Sequence, residues 1–293
     1  MYSIVIPVYN RNIGLECCLY CLSKQNYTNF EVIICDDGSI QDTLSVIKRF
    51  DSLLDLKYIW IPDKDFCAGE ARNRGVDLSI GDTLIFLDSD IITRETWLEW
   101  YDKFHTKYPT AIIVGRYDWL PPMDVRLEHV AHYFDSLTMG KFPIVKPPEP
   151  GVFTGIDPRW QDERILKKDT PGDKFALGMF SGNLLIPKNI FTESKGFDED
   201  LPGQGGEDAE LGFTLEELGV RAMFTDKVAG WHIYHDRDPE RKDELVKNNI
   251  RYIAKKHDME RFEAIANPDE NMIYYKDGLF IGSQRRKELG LQG

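Results

Sequence analysis

Residues 83–90 read TLIFLDSD, so a short apolar run ends in two carboxylates that one serine separates. The run Thr83–Leu87 predicts a buried β-strand, because near-continuous apolar strands are typical of parallel sheets covered on both faces. Asp88 and Asp90 then follow the carboxyl end of this strand. Side chains two positions apart on an extended backbone point the same way, so both could face one cation. Oxygen ligands of this kind suit Mg²⁺ or Mn²⁺.

Strand and helix patterns alternate through the first hundred residues. Apolar runs predict further strands at Ser3–Val8, Phe30–Cys35 and Lys57–Ile61. Helix-period apolar positions predict helices at Asn12–Gln25, Gln41–Phe50 and Ala68–Ser79. The alternation predicts an α/β fold with a mainly parallel central sheet flanked by helices. Because ligands of such sheets bind beyond the carboxyl ends of the strands, the polar runs found there are candidate binding residues: Tyr9–Arg11, Asp36–Ser39 and Asp88–Asp90.

The rest of the chain continues this alternation less regularly. It predicts a helix at Trp97–Lys107, strands at Ala111–Tyr117, Phe180–Pro187 and Trp231–Tyr234, and helices within Gly203–Leu218 and Pro239–Lys256. The proline- and charge-rich stretch Pro143–Pro171 is expected to be a mobile segment near the site, and a disordered insertion is the alternative. We therefore expect one domain over residues 1–240 and a C-terminal helical extension, 241–293, that packs on it.

Composition and charge exclude several classes of function. The formal net charge of −13 makes nucleic acid an unsuitable partner, since an acidic protein repels phosphate backbones. All five cysteines lie in the first quarter of the chain, in a pattern that indicates reduced thiols rather than disulfides or a zinc site. No leader peptide and no transmembrane segment are expected. We expect a cytoplasmic protein, and the basic cluster Arg285–Lys287 leaves peripheral contact with the inner face of a membrane open.

Two later motifs contain further candidate residues. The run Gly205–Asp208 begins with two glycines that allow a tight turn and ends with two carboxylates that begin a helix. Acidic residues favour helix N-termini in general, but a carboxylate placed here could also deprotonate a hydroxyl group. His235 follows the last predicted strand, where it could complete a metal site. His232 competes for that role, since in a regular strand the two side chains point to opposite faces and only one would bind the ion.

Four motifs carry a family resemblance: Ile4–Asn10, Asp36–Ser39, Ala71–Gly75 and Phe86–Asp90. In this order and spacing they resemble the signature of family 2 glycosyltransferases, whose catalytic domain has the Rossmann-like GT-A fold. The stretch from Phe180 through residues 206–208 to His235 is similar to the C-terminal part of β-1,4-galactosyltransferases and chondroitin-polymerase-type enzymes. Together the resemblances cover roughly residues 1–240, the expected catalytic domain.

The resemblance implies an inverting, divalent-metal-dependent glycosyltransferase of glycan or polysaccharide synthesis. Such an enzyme moves a sugar from a nucleotide-sugar donor, usually a UDP-sugar, to a hydroxyl of a glycan, a glycolipid or another acceptor. The nucleotide-binding residues that it implies are Pro7, Tyr9, Asp36, Asp37, Arg72, Asn73, Asp88 and Ser89. It implies that Mn²⁺ or Mg²⁺ binds to Asp88, Asp90 and His235. Asp208 is then the catalytic base, and Glu207 contacts the acceptor or the donor sugar.

One position departs from the family pattern. Related enzymes often carry a tryptophan where this sequence has Gln204, so either Trp160 or Trp231 is expected to stack on a sugar, or the acceptor is not a typical pyranose. The polypeptide N-acetylgalactosaminyltransferases, which retain configuration, usually carry an asparagine where Asp208 stands, so this residue favours inversion. A sugar-nucleotide pyrophosphorylase would need a glycine-rich basic loop, which residues 7–10 do not form. The alternative is a noncatalytic saccharide- or nucleotide-sugar-binding protein with the same fold, which predicts a broken metal or base position that the sequence does not show.

Overall fold

The computed structural model describes residues 1–64, 67–120, 124–138, 169–201, 205–235 and 239–257. The strands in these ranges are β1 (Tyr2–Val8), β2 (Phe30–Asp36), β3 (Leu56–Trp60), β4 (Thr83–Leu87), β5 (Ile91–Thr93), β6 (Ala111–Trp119), β7 (Asn183–Pro187) and β8 (Arg221–His232). The helices are α1 (Asn12–Leu22), α2 (Thr43–Lys48), α3 (Ala68–Leu78), α4 (Trp97–Lys107), α5 (Leu127–Thr138), α6 (Lys188–Glu193), α7 (Glu207–Glu217) and α8 (Pro239–Lys256). Expectations that lie outside the described residues concern Trp160, Gln204, Arg285–Lys287 and most of Pro143–Pro171.

The strands form one sheet in the order β3-β2-β1-β4-β7-β6-β8-β5. Strands β3, β2, β1 and β4 are parallel neighbours, and β6 is parallel to β8. Within the described ranges, β7 and β5 run against the other six strands. The predicted α/β fold with a mainly parallel sheet and flanking helices is therefore confirmed. The antiparallel strand β7 places the second half of the chain beside β4, which leads into Asp88–Asp90.

Two apolar layers cover the sheet, because successive side chains of a strand point to opposite faces. Ile4 of β1 belongs to one buried cluster with Leu15 of α1. Val5 belongs to the cluster on the other face, which includes Ala71 of α3. Helix α3 can approach the sheet closely only because residue 75 is glycine, since a Cβ there would lie 2.6 Å from Val5 Cγ1. The layers together hold the carboxyl ends of β1, β2 and β4 side by side.

The last strand differs most from its prediction. The sequence predicts a short strand at Trp231–Tyr234, whereas β8 begins at Arg221 and ends at His232. Polar residues at 225–227 interrupt its apolar pattern, so the first part of the strand carries no clear signal. Pairing with β6 makes the whole segment a strand. Strand β5 and helix α6 are too short for a periodic signal, and the sequence analysis does not predict them.

Helix α8 packs against α7 and its surroundings. Ile253 and Ala254 share a buried cluster with Phe213 of α7 and with Leu201. The division of the chain at residue 240 stays a prediction. Among the residues that the structure describes, no helix combines the length and the apolar character needed to cross a membrane.

Candidate active site

The loops that follow β1 and β2 are tied together at the carboxyl edge of the sheet. Asn10 donates its backbone N–H to Ser39 Oγ, and its Oδ1 accepts the N–H of Ile40. Asn10 has φ of 51°, a conformation that asparagine tolerates better than most residues. These hydrogen bonds join the two loops at the end of β1, which pairs with β4.

The two carboxylates of the β2 loop have different environments. Asp36 accepts hydrogen bonds from the Ser39 N–H at 2.7 Å and the Tyr58 hydroxyl at 2.9 Å, so it shapes the turn. Asp37 Oδ2 accepts the Cys67 N–H at 2.7 Å, whereas its buried Oδ1 has no hydrogen-bond partner among the described residues. Burial raises the pKa of Asp37 to about 6. Because buried polar atoms are normally paired, Oδ1 is suited to accept a hydrogen bond from a ligand.

Asp90, His232 and His235 converge next to the end of β4. Each offers a ligand atom within 4.8 Å of the others. His232 Nε2 lies 3.3 Å from Asp90 Oδ1, and His235 Nε2 lies 3.4 Å from Asp90 Oδ2. The two histidines do not point to opposite faces as a regular strand would require, because β8 ends at His232 and the strand geometry does not continue to His235. Which of them binds a metal ion stays a prediction.

His232 adopts the orientation that a metal ligand needs. Its Nδ1 lies 2.9 Å from the carbonyl oxygen of Ile233, so we assign the proton to Nδ1 and the free lone pair to Nε2. The Trp119 ring packs on the imidazole with 3.9 Å between centroids. Gly14 of α1 makes room for the third group, since a Cβ there would lie 2.8 Å from Asp90 Cβ. One carboxylate and two imidazoles suit a transition-metal dication such as Mn²⁺ better than Mg²⁺, which prefers oxygen ligands.

The structure separates the two carboxylates that the sequence pairs. Asp88 is not part of the cluster with the histidines; its Oδ1 accepts a hydrogen bond from Arg72 Nη2 at 2.8 Å. The expectation that both carboxylates face one ion assumed an extended backbone, whereas residues 88–90 leave β4 and enter a turn. Arg72 is only 4% exposed, and its Nε and Nη1 have no hydrogen-bond partner among the described residues. A buried guanidinium with free donors is suited to an anionic ligand.

Asp208 lies in the first turn of α7, close to this pair. Its Oδ1 accepts the backbone N–H of Ser181 at 3.1 Å. Burial, followed by the neighbouring Glu207, raises the pKa of Asp208 to about 7, although Arg72 opposes the shift. A carboxyl group with a pKa near neutrality can take up a proton at physiological pH, as a general base must.

Ser181 and Gly182 connect Asp208 with Asp88. The Gly182 carbonyl accepts the Asp88 N–H at 3.0 Å, and a side chain at residue 182 would collide with the Asp88 carboxylate. The Ser181 hydroxyl is buried without a hydrogen-bond partner among the described residues. The candidate base and the Arg72–Asp88 pair therefore belong to one polar site.

The sequence profile of one protein family matches this chain over residues 3–164, which is more than half of its length. The description of that family is Glycosyl transferase family 2. The chain belongs to glycosyl transferase family 2. The matched segment contains the β1 and β2 loops, Arg72, Asp88 and Asp90.

Sequence relatives extend the similarity to most of the chain. A validoxylamine A glucosyltransferase of Streptomyces hygroscopicus subsp. limoneus is 29% identical over 91% of this chain and 60% of the relative. A chondroitin synthase of Pasteurella multocida is 26% identical over 87% of this chain, which spans 28% of that protein. The crystal structure of Staphylococcus aureus TarS 1–349 in complex with UDP-GlcNAc superimposes with a TM-score of 0.60, at 18% identity, over 87% of this chain and 66% of the TarS 1–349 chain. The GT-A fold and the resemblance to chondroitin-synthesising enzymes are thereby confirmed.

Three further site residues implied by the family 2 resemblance lie around the same edge. Pro7 is half-buried in β1, opposite Cys35 of β2. The Tyr9 hydroxyl donates to Asp63 Oδ2 at 2.9 Å. Ser89 is buried between the two acidic residues.

Asn73 has a different environment from the one expected. Its amide N–H groups donate to the Phe197 carbonyl and to Glu199, and its Oδ1 accepts the Phe197 N–H. Asn73 therefore holds the segment before α7, and the predicted nucleotide contact has no support from these bonds.

Sequence reasoning missed the contacts of Ser181 and Trp119. Trp119 lies opposite His232 only through the pairing of β6 with β8, for which no sequence pattern gives the register. The predicted sugar-stacking role of Trp231 is wrong, because this side chain is buried and Arg94 lies over its ring at 5.4 Å.

Proposed function

We propose that this protein is an inverting, metal-dependent glycosyltransferase that moves a sugar from a UDP-sugar to an acceptor hydroxyl. One observation carries the proposal: the half-buried carboxyl of Asp208, with a pKa near 7, shares a polar site with Arg72 and Asp88 at the sheet edge that also bears Asp90 and the two histidines. A base, a buried cation and a metal-ligand set are the groups that transfer to a hydroxyl requires.

Asp90, His232 and His235 would hold the metal ion, and the chemistry of this donor set favours Mn²⁺ over Mg²⁺. A divalent ion bound there neutralises charge that develops on a departing diphosphate. The guanidinium of Arg72 would neutralise part of the same charge. Its unpaired N–H donors are buried, and Asp88 fixes its position. Asp88 thus acts on the site through Arg72.

Asp37 is the proposed contact for the nucleotide base. Its free Oδ1 can accept one N–H group, and uracil carries one N–H group on its base-pairing edge. The TarS structure contains UDP-GlcNAc, and its similarity to this chain supports a UDP-sugar as the donor. Asp36 contributes by holding the turn that presents Asp37.

Asp208 is the proposed base. Deprotonation of the acceptor hydroxyl by its carboxylate lets the oxygen attack the anomeric carbon from the side opposite the diphosphate, which inverts the configuration. The Ser181 N–H holds the carboxylate in place. Glu207 precedes it in the same turn and is the proposed contact for a sugar hydroxyl. The relatives named for validoxylamine A and chondroitin support a glycan or another compound with hydroxyl groups as the acceptor.

Release of UDP from a panel of UDP-sugars, measured with Mn²⁺, Mg²⁺ or a chelator, tests the proposal. Water or simple methyl glycosides serve as acceptors. We expect Mn²⁺-dependent release from one donor, its loss in Asp90→Asn and His232→Gln, and normal release in the control Asp77→Asn, whose side chain is 73% exposed. Asp208→Asn should retain Mn²⁺-dependent UDP binding and lose turnover.

The noncatalytic alternative makes the opposite prediction for turnover. Calorimetry would then show Mn²⁺-dependent binding of a nucleotide sugar, while every donor and acceptor pair stays intact. Absence of both binding and release would refute the metal and donor assignments together.

A further inference from the structure

The turn that presents Asp208 has an unusual backbone. Gly205 and Gly206 both have positive φ, 98° and 102°, which side chains rarely permit. Gly206 is the N-cap of α7 and has no side chain to accept an N–H of the first turn. The turn therefore lacks the capping group that usually fixes the start of a helix, and its geometry must be held by other contacts.

Two of those contacts lie on opposite sides of Gly205. Its N–H donates to Glu207 Oε2 at 3.0 Å, within the turn itself. Its carbonyl accepts the side-chain N–H of Asn249 at 2.6 Å, from α8. Asn249 is 1% exposed, so water does not compete for this bond.

Helix α8 also touches Gly206. A Cβ at this position would lie 3.1 Å from Ile253 Cδ1 and 3.3 Å from Asn249 Cβ. Ile253 follows Asn249 by four residues, so both side chains lie on the face of α8 that covers the turn.

The docking of α8 does not depend on Asn249 alone. Lys256 Nζ lies 2.7 Å from both Asp198 Oδ2 and the buried Glu210 Oε1, and the Tyr252 hydroxyl donates to Asp198 at 2.8 Å. The apolar contacts of Ile253 add to these bonds. Removal of the Asn249 amide is therefore expected to leave the helix in place and to loosen only the turn.

We propose that Asn249 is a positioning residue for Asp208, which it holds through the carbonyl of Gly205. The inference rests on the proposed function, because it assigns Asn249 to the geometry of the proposed base. Two residues of α8 then have different roles. Asn249 stabilises the turn before Asp208, whereas Tyr252 helps to attach the helix to the domain through Asp198.

The test compares Asn249→Ala and Asn249→Asp with Tyr252→Phe in the full chain. The aspartate keeps the shape of the side chain but cannot donate to Gly205, and the phenylalanine removes one α8 hydrogen bond at a distance from the turn. UDP release from the donor found in the panel gives kcat and KM. Hydrogen exchange in a peptide that covers residues 205–212 reports on the turn without any substrate.

Both Asn249 variants should lower kcat about tenfold, since displacement of a reacting group by a fraction of an ångström is costly. The KM for the donor and the affinity for UDP with Mn²⁺ should stay within about twofold of wild type. Exchange in 205–212 should increase in both variants, and Tyr252→Phe should change neither kcat nor this exchange.

The inference would be overturned if Tyr252→Phe and the Asn249 variants all lost kcat in proportion to the decrease in their melting temperatures. Unchanged exchange in 205–212, or a higher donor KM at normal kcat, would also overturn it. A wild-type protein that neither releases UDP nor binds it refutes the proposed function itself, whereas wild-type turnover with normal Asn249 variants refutes only the role of Asn249.

Discussion

The replacement Asp208→Asn should abolish the pH dependence that the base imposes on the reaction. Burial and Glu207 raise the pKa of Asp208 to about 7, from an ordinary value of 3.8. The deprotonated fraction is then about 0.01 at pH 5 and about 0.9 at pH 8, so kcat/KM should rise roughly a hundredfold between them. An unperturbed carboxyl group would give an almost flat profile over this range.

The assay is UDP release at saturating Mn²⁺ from pH 5 to pH 8, with wild type and Asp208→Asn in parallel. Metal affinity itself depends on pH, because protons compete with a metal ion for its ligand atoms, and His232 and His235 are proposed ligands. The variant keeps both histidines, so the ratio of the two profiles isolates Asp208. The asparagine should lower kcat about a hundredfold or more at pH 8.

Stability should change in the opposite direction to activity. Because the folded-state pKa of Asp208 lies above its ordinary value, folding disfavours the carboxylate and the fold loses stability as pH rises from about 4 towards 7. Asp208→Asn should therefore raise the melting temperature at pH 8. A ratio of profiles that stays constant from pH 5 to pH 8, or a lower melting temperature of the variant at pH 8, would refute the reasoning.

Three further predictions follow from other contacts. Asp37→Asn should weaken UDP binding about tenfold in calorimetry, since the amide cannot both accept the Cys67 N–H and offer a second acceptor; unchanged affinity would contradict the assigned base contact. Gly14→Ala should lower Mn²⁺ affinity, because the new Cβ pushes Asp90 away. The control Gly172→Ala should not, because a Cβ there meets nothing within 4 Å. Equal affinities of the two variants in a Mn²⁺ titration would contradict the role of Asp90. Hydrogen bonding to Glu210 raises the pKa of His257, so its contribution to stability should be complete below pH 6.5 and lost as pH rises through the raised pKa. The melting temperature of His257→Gln should thus fall furthest below wild type near pH 6, and a constant difference up to pH 9 would contradict the assignment.

Local patterns predicted the first half of the fold well. Strand β4 and helix α4 have the predicted bounds, and β1 and β2 differ from theirs by one residue at one end. These elements are signalled by their own residues, because a buried parallel strand is apolar along its length. The sequence predicts strand β8 poorly, because polar residues interrupt its apolar pattern and its extended conformation depends on pairing with β6.

In the candidate site, too, local sequence features were predicted and contacts between distant residues were not. The sequence marked Asp88, Asp90, Asp208 and His235 as residues of one site, since acidic groups after strands and a glycine turn before a helix are local features. It could not show that Asp88 pairs with Arg72, because this depends on the turn after β4 and on the packing of α3.

The sequence by itself determined the α/β fold, the family resemblance and the types of group that meet at the sheet edge. Only the tertiary structure decided which of these groups face each other. His232 joins Asp90 because β8 ends where it does, and Asn249 reaches Gly205 because α8 folds back onto α7. Contacts between residues far apart in the chain depend on packing and register, and no local periodicity encodes either.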